Sequence, residues 1–276
     1  MPKVHANGID IYYEIHGSGD PLILINGLGY DLWMWHRMVP GLAEHFQVIT
    51  FDNRGVGQTD KPEGPYSAQM LANDTAGLLE ALDVSRAAVM GHSMGGFVAQ
   101  ALVLSRPDLV SKLILSATNF GGPNHIPVTQ EALAFLMEQT DDPVERVRRG
   151  VLIACAPGFA DRQPEMIEKW ITYRIENPVL PGPYQAQMAI GLALASEEAA
   201  FEHKLKNVSA PTLILFGEHD KVVPPGNAEL LARAIPGSKI HILRDAGHHL
   251  ELEVPNAAVA AIVDFLRGWG KRGDSF

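Results

Sequence analysis

A single cysteine, Cys155, in 276 residues excludes an internal disulfide and any site built on several thiolates. Positive charge is also scarce, with 22 Lys and Arg against 32 Asp and Glu, a formal net charge of −10. A surface of that sign repels phosphate backbones and anionic headgroups, so neither nucleic acid nor a membrane is expected as a partner. Apolar runs long and clean enough to span a bilayer are missing too. Two stretches avoid Asp, Glu, Lys and Arg, but residues 87–105 hold Gly91, Gly95 and Gly96, and residues 177–196 hold three prolines and two glutamines. The first eight residues lack the apolar core of a secretory leader, which makes the cytoplasm the expected compartment.

Hydrophobic residues make up 46% of the chain and charged ones 20%, the balance of a globular protein with a full core. The length suits one large α/β domain carrying an insertion. Short apolar runs at residues 22–25, 46–51, 87–90, 113–115, 212–216 and 240–243 alternate with helix-patterned segments at 32–43, 68–82, 97–104 and 257–269. That alternation predicts a mainly parallel sheet with helices on both faces. Residues 4–6 and 9–15 predict an antiparallel hairpin about Asn7-Gly8. The alternation breaks between residues 119 and 208, where proline-punctuated helical patterns occur without a convincing strand. We expect a core of residues 1–118 and 209–276, with 119–208 inserted as a helical cap.

The chemistry is concentrated in Gly91-His92-Ser93-Met94-Gly95, a G-x-S-x-G between an apolar strand and an apolar helix. That context predicts a nucleophile elbow, a turn so sharp that a Cβ at either glycine would strike neighbouring backbone. A serine hydroxyl needs a base, itself oriented by a carboxylate. Asp220 lies just past the strand at 212–216, and His248 on the loop after the strand at 240–243, in the order elbow enzymes use. Glu218 and Asp245 compete for the acid role and His249 for the base; His248 is preferred because it follows the loop glycine directly. The oxyanion needs two backbone N–H groups. Met94 follows the nucleophile, and Leu28 lies in Asn26-Gly27-Leu28-Gly29, so these two residues are the expected donors. The remaining histidines show no metal-ligand spacing, so neither a metal nor a cofactor is expected.

With those motifs in order, the chain resembles the α/β-hydrolases over all but the cap. Further matches are the turn Asp52-Asn53-Arg54-Gly55-Val56-Gly57-Gln58-Thr59 and the ending from Gly247 to Pro255, where Glu253 and Pro255 take the family's spacing from the catalytic histidine. The resemblance implies a mostly parallel eight-stranded sheet and a serine triad of Ser93, Asp220 and His248. Asn26-Gly27-Leu28-Gly29, with Asp31, Met34 and Trp35, is similar to the carboxylesterase and enol-lactonase branch. Serine at 93 argues against haloalkane dehalogenases and epoxide hydrolases, whose nucleophile is a carboxylate.

The expected activity is cleavage of small to medium carboxylic esters through an acyl-enzyme, with a small-molecule ester or lactone as partner. Lactone opening, C–C hydrolysis and perhydrolysis use the same residues. A reading from another class is a receptor-like ligand-binding protein of low turnover, which a complete triad disfavours. Trp33, Trp35, Phe135, Met137, Trp170 and Met188 are the candidate substrate contacts. Monomer and homodimer both remain open.

Overall fold

The computed structural model describes residues 2–138 and 142–268. Eight strands form one sheet: β1 (Lys3–Ala6), β2 (Ile9–His16), β3 (Pro21–Ile25), β4 (Gln47–Phe51), β5 (Ala87–His92), β6 (Val110–Ser116), β7 (Thr212–Gly217) and β8 (Lys239–Leu243). Their order is β1-β2-β4-β3-β5-β6-β7-β8. The first two strands pair antiparallel, β2 runs antiparallel to β4, and every pairing from β4 to β8 is parallel. The hairpin turns on Asn7 and Gly8, both at positive φ, which suits the right-handed twist of the flanking strands.

The central strands read as unbroken apolar runs because both of their faces are covered. Along β3, Ile23 and Ile25 enter one core while Leu22 and Leu24 enter the other. The helices are α1 (Val39–Ala43), α2 (Ala68–Ala81), α3 (Met94–Ser105), α4 (Gln130–Met137), α5 (Pro143–Ala154), α6 (Phe159–Arg162), α7 (Pro164–Glu176), α8 (Pro181–Ala193), α9 (Asn227–Ala234), α10 (Leu250–Glu253) and α11 (Pro255–Gly268). Leu78 of α2, Val98 and Leu102 of α3 and Leu231 of α9 fill the first core. Leu42 of α1 and Ile262 and Phe265 of α11 fill the second. Helices α4 to α8 all fall between β6 and β7. A third cluster joins Val151, Phe159, Met166 and Trp170 from that segment to Met34, on the turn after β3, and Leu252 of α10.

The helix expected at residues 32–43 is broken. Asp31 caps a short 3₁₀ turn, Leu32–Trp35, and the chain restarts as α1 with Pro40 in its first turn. Proline has no N–H to give the preceding turn, so the restart falls there. The helix expected after the elbow begins earlier than residue 97, directly at Met94. Helix α9 was not expected; its buried face is only Asn227, Ala228 and Leu231. The last helix is described to Gly268, and Trp269 lies outside the described residues.

Candidate active site

The elbow is built where β5 passes into α3. Ser93 sits there with φ 54° and ψ −120°, a conformation that costs a non-glycine residue energy and turns its side chain out of the strand. Close packing maintains the turn. A Cβ on Gly91 would stand 2.3 Å from the Gly95 carbonyl oxygen, and one on Gly95 would stand 2.3 Å from that of Ile25. The Thr118 hydroxyl donates to the Ser93 carbonyl at 2.8 Å, holding the turn from the adjoining strand end.

From Ser93 the polar chain runs through two side chains. The Ser93 hydroxyl lies 3.0 Å from His248 Nε2, and His248 Nδ1 lies 2.8 Å from Asp220 Oδ2. A carboxylate only accepts, so Nδ1 carries the proton and Nε2 is free to receive one from the serine. Asp220 Oδ1 accepts the amides of Val222 and Val223, each at 2.8 Å, which fixes the carboxylate plane. Burial works against a charged His248, but the adjacent Asp220 outweighs it, with help from Glu251 and Glu253, and raises its pKa above the ordinary 6.5. Asp220, rather than Glu218 or Asp245, is therefore the acid that meets the base; Glu218 instead accepts the Asp245 amide at 2.7 Å.

The loop after β3, where the oxyanion donor Leu28 is expected, lies against this chain, since a Cβ on Gly27 would stand 3.2 Å from Ser93 Cβ. Around it the amides are occupied: Gly27 N–H donates to its neighbour Asn26 Oδ1 at 3.0 Å, and Gly29 N–H to Gln187 Oε1 at 2.8 Å. Asn26 also donates to the Asp31 carbonyl at 2.6 Å. Among the described residues the amide of Leu28 has no acceptor, and Met94 opens α3, where N–H groups are unpaired by construction. Both donors are thus available beside Ser93.

Behind the triad lies a buried polar layer. Glu253 accepts the amides of Gly247 at 3.0 Å and Ala156 at 2.6 Å, clamping the histidine loop to the end of α5. Burial lifts its carboxyl to about 7 despite those bonds. His249 is turned away from Ser93: its Nδ1 faces Glu251 at 3.3 Å and its Nε2 the Tyr30 hydroxyl at 3.3 Å. His92 Nδ1 faces the Ser116 hydroxyl at 3.2 Å. Burial depresses both His92 and His249 to about 3, so they are neutral imidazoles. His92, His249 and Glu251 converge with ligating atoms within 4.8 Å of one another, as do the exposed Glu218, His219 and Asp245. These are the two places among the described residues where three groups able to hold a metal meet. Cys155 is buried in the third cluster, its thiol pushed up by burial.

A cleft of ≈ 460 Å³ opens from the loop after β3 between α4, α5, α7 and α8, lined by Leu28, Tyr30, Phe135, Trp170 and Tyr184 among others. Two expected substrate contacts, Phe135 and Trp170, lie there. Four do not. Trp35 is completely buried in the core beneath the sheet with Met38 and Leu42, because the broken helix turns it inward. Trp33 stacks on Tyr173 at 4.5 Å and on His36 at 4.4 Å, over separate surface clefts. Met137 ends α4 with 66% of its surface exposed, and Met188 is half-buried on α8 outside the lining. Arg54 is also directed away, into a buried pair with Asp74 of α2 at 2.6 Å.

Several site residues escape a reading of motifs. Gln187 joins α8 to the loop after β3, accepting from Gly29 and donating to the Arg54 carbonyl at 2.8 Å. Its one sequence signal is a polar side chain in an uncharged stretch, which Gln185 shares. Arg146, Arg174 and Tyr184 line the cleft without any motif to announce them.

Comparison with known proteins agrees with this architecture. The sequence profile of the family described as alpha/beta hydrolase fold matches residues 20–254. A Mycobacterium tuberculosis protein provisionally named non-heme bromoperoxidase BpoC is 32% identical over 270 residues, covering 94% of this chain and 98% of its own. 3-Oxoadipate enol-lactonase 2 of Acinetobacter baylyi is 28% identical, covering 95% of this chain and 98% of its own. The structure of a thermophilic esterase from Thermogutta terrifontis superposes with a TM-score of 0.78 at 30% identity, covering 97% and 98% of the two chains.

Proposed function

The chain belongs to the α/β-hydrolase family, and from that premise we propose that it is a serine hydrolase of small to medium carboxylic esters. The observation that carries the reading is the continuous relay Asp220–His248–Ser93, with bonds of 2.8 and 3.0 Å. Ser93 Oγ bonds to the acyl carbon as its proton passes to His248 Nε2, and the carbonyl oxygen takes the charge. The amides of Leu28 and Met94 hold that oxyanion; one such donor contributes on the order of 10²–10³ in rate. The C–O bond to the alcohol then breaks, and His248 returns the proton to the departing oxygen. Water, deprotonated by His248, attacks the acyl-enzyme and releases the acid and Ser93.

Residues 119–208 act as the cap in this reading, their helices walling the cleft that receives the substrate. The resemblance to an enol-lactonase and an esterase supports ester and lactone carbonyls alike, because ring opening uses the same steps. The test is hydrolysis of a chain-length series of p-nitrophenyl esters by the wild type and Ser93→Ala, with mass spectrometry for the acyl adduct. Turnover peaking at one chain length, an adduct on Ser93, and a loss of about 10⁴-fold or more in the variant are expected. Equal rates in both proteins would remove Ser93 from the nucleophile's role, and acylation without turnover would favour a binding protein.

A further inference from the structure

We propose that His92, His249 and Glu251 bind a divalent transition-metal ion of the zinc type, which ties the nucleophile turn to the histidine loop behind the triad. Spacing along the chain gives no sign of such a site, because His92 ends β5 while the other two follow β8. In space, one ligating atom of each lies within 4.8 Å of the other two. The three residues are only 1%, 4% and 1% exposed. Glu251 Oε1 lies 3.3 Å from His249 Nδ1 and 3.9 Å from His92 Nε2. Both separations are long for hydrogen bonds. They approach the edge of about 3.3 Å between ligands that bonds of about 2.0–2.1 Å produce around tetrahedral zinc.

The hydrogen-bond inventory points the same way. Among the described residues, His92 Nε2 and Glu251 Oε2 are buried without a hydrogen-bond partner, which folded interiors seldom tolerate. The outer nitrogen of each ring does have one: His92 Nδ1 meets the Ser116 hydroxyl at 3.2 Å, and His249 Nε2 the Tyr30 hydroxyl at 3.3 Å. Outer partners of this kind orient metal-binding histidines. When the hydroxyls accept the ring protons, two nitrogen lone pairs and a carboxylate converge on one point, and a cation between them satisfies all three. Two imidazoles and a glutamate are a recurrent zinc donor set. The exposed trio of Glu218, His219 and Asp245 has no such buried orphans, since water reaches it. Placement also gives the ion a role. His92 directly precedes Ser93 and His249 directly follows His248, so one ion fixes the backbone beside both. Tyr30 and Trp170 line the cleft, and each stands with its ring centroid 5.2 Å from that of His249, so the floor of the cleft is the way in.

In the experiment the whole protein is stripped with a chelator, dialysed, loaded with Zn²⁺ and dialysed again, and the retained ion is measured by elemental analysis. About one ion per chain is expected for the wild type. Glu251→Gln and His249→Phe should weaken binding by at least the roughly 100-fold that loss of an outer partner can cost. His219→Ala, which dismantles the exposed trio, should bind like the wild type. Zn²⁺ should raise the Tm of the wild type and of His219→Ala, and leave that of Glu251→Gln unmoved. X-ray absorption at the zinc edge of the loaded wild type identifies the ligands without any variant, and two imidazoles are expected. A folded wild type that retains no zinc would overturn the proposal. So would undiminished retention in Glu251→Gln, loss in His219→Ala, or fewer than two imidazoles on the ion. None of these measurements needs turnover, so the esterase reading stands or falls separately.

Discussion

At the scale of single residues, the site depends on the proton balance of His248. Two forces act on it in opposite directions: burial favours the neutral ring, and the Asp220 carboxylate 2.8 Å away favours the charged one and prevails. A base must be neutral to accept the serine proton, so activity is lost as pH falls through a pKa above the ordinary 6.5. For the wild type, kcat/KM against pH should show an acid limb with its midpoint above 6.5. Asp220→Asn should move that midpoint down, since burial then acts with less opposition, and should lower kcat by about 10⁴ through loss of the correct tautomer. A limb unmoved in the variant would show that another group titrates. The choice between the neighbouring histidines could be made from the chain because only His248 follows Gly247. Its physical basis is visible only in the fold, where Glu253 holds Gly247 by its amide and His249 is directed to Glu251 and Tyr30.

At the scale of elements, motifs with local causes were legible and contacts between distant elements were not. The elbow could be read because its glycines are required by a turn only five residues long. The break before α1 was obscured by a helical pattern continuing across Pro40. Gln187 on α8 carries two bonds to loops 158 and 133 residues away in sequence, which no local pattern reports. Replacing it by leucine would leave a buried N–H and a buried C=O without partners, each costing about 1–3 kcal/mol. Because one of those groups neighbours the Leu28 donor, Gln187→Leu should lower kcat by roughly tenfold, less than the ~10²–10³ of a whole oxyanion donor, while KM changes little. Thermal melting and steady-state kinetics read the two effects separately. A lower Tm with unchanged kcat would assign Gln187 to the attachment of α8 alone.

For the whole molecule, the polar layer under the site makes stability depend on pH. His92 and His249 are depressed to about 3, so the unfolded chain binds more protons at these rings, and their contribution is lost as pH falls from 6.5 towards 3. Burial raises Glu253 to about 7 and Asp52 to about 6, so the native state binds more protons there. Their contribution is full at low pH and is lost as pH rises towards those values. Glu251, which burial also raises, acts in the same direction as these two carboxyls, so the carboxyls oppose the histidines between about pH 6.5 and 4.5, and below about pH 4 the histidines' loss remains, at roughly 3 kcal/mol per pH unit for two sites. Urea denaturation should therefore give a stability that holds from about pH 6.5 to 4.5 and falls steeply below. In Glu253→Gln the profile between about pH 7 and 4.5 should tilt towards loss at low pH by up to one proton's slope; an unchanged profile would mean that Glu253 titrates normally.

What the chain determined by itself was everything with a short-range cause: apolar runs that need burial on both faces, glycines without which the elbow collides, and a serine, acid and histidine just past the ends of β5, β7 and β8. The tertiary structure decided which aromatic residues meet the cleft. Trp33, Trp35, Phe135 and Trp170 carry similar apolar surface, and only the direction of each helix sends two of them into the cleft, one into the core and one to the surface. It also decided which charges on the cleft wall are paired, because Arg149 reaches Glu138 and Asp31 reaches Arg174 only in space. Coulombic pairing acts over a few ångströms and is indifferent to separation along the chain.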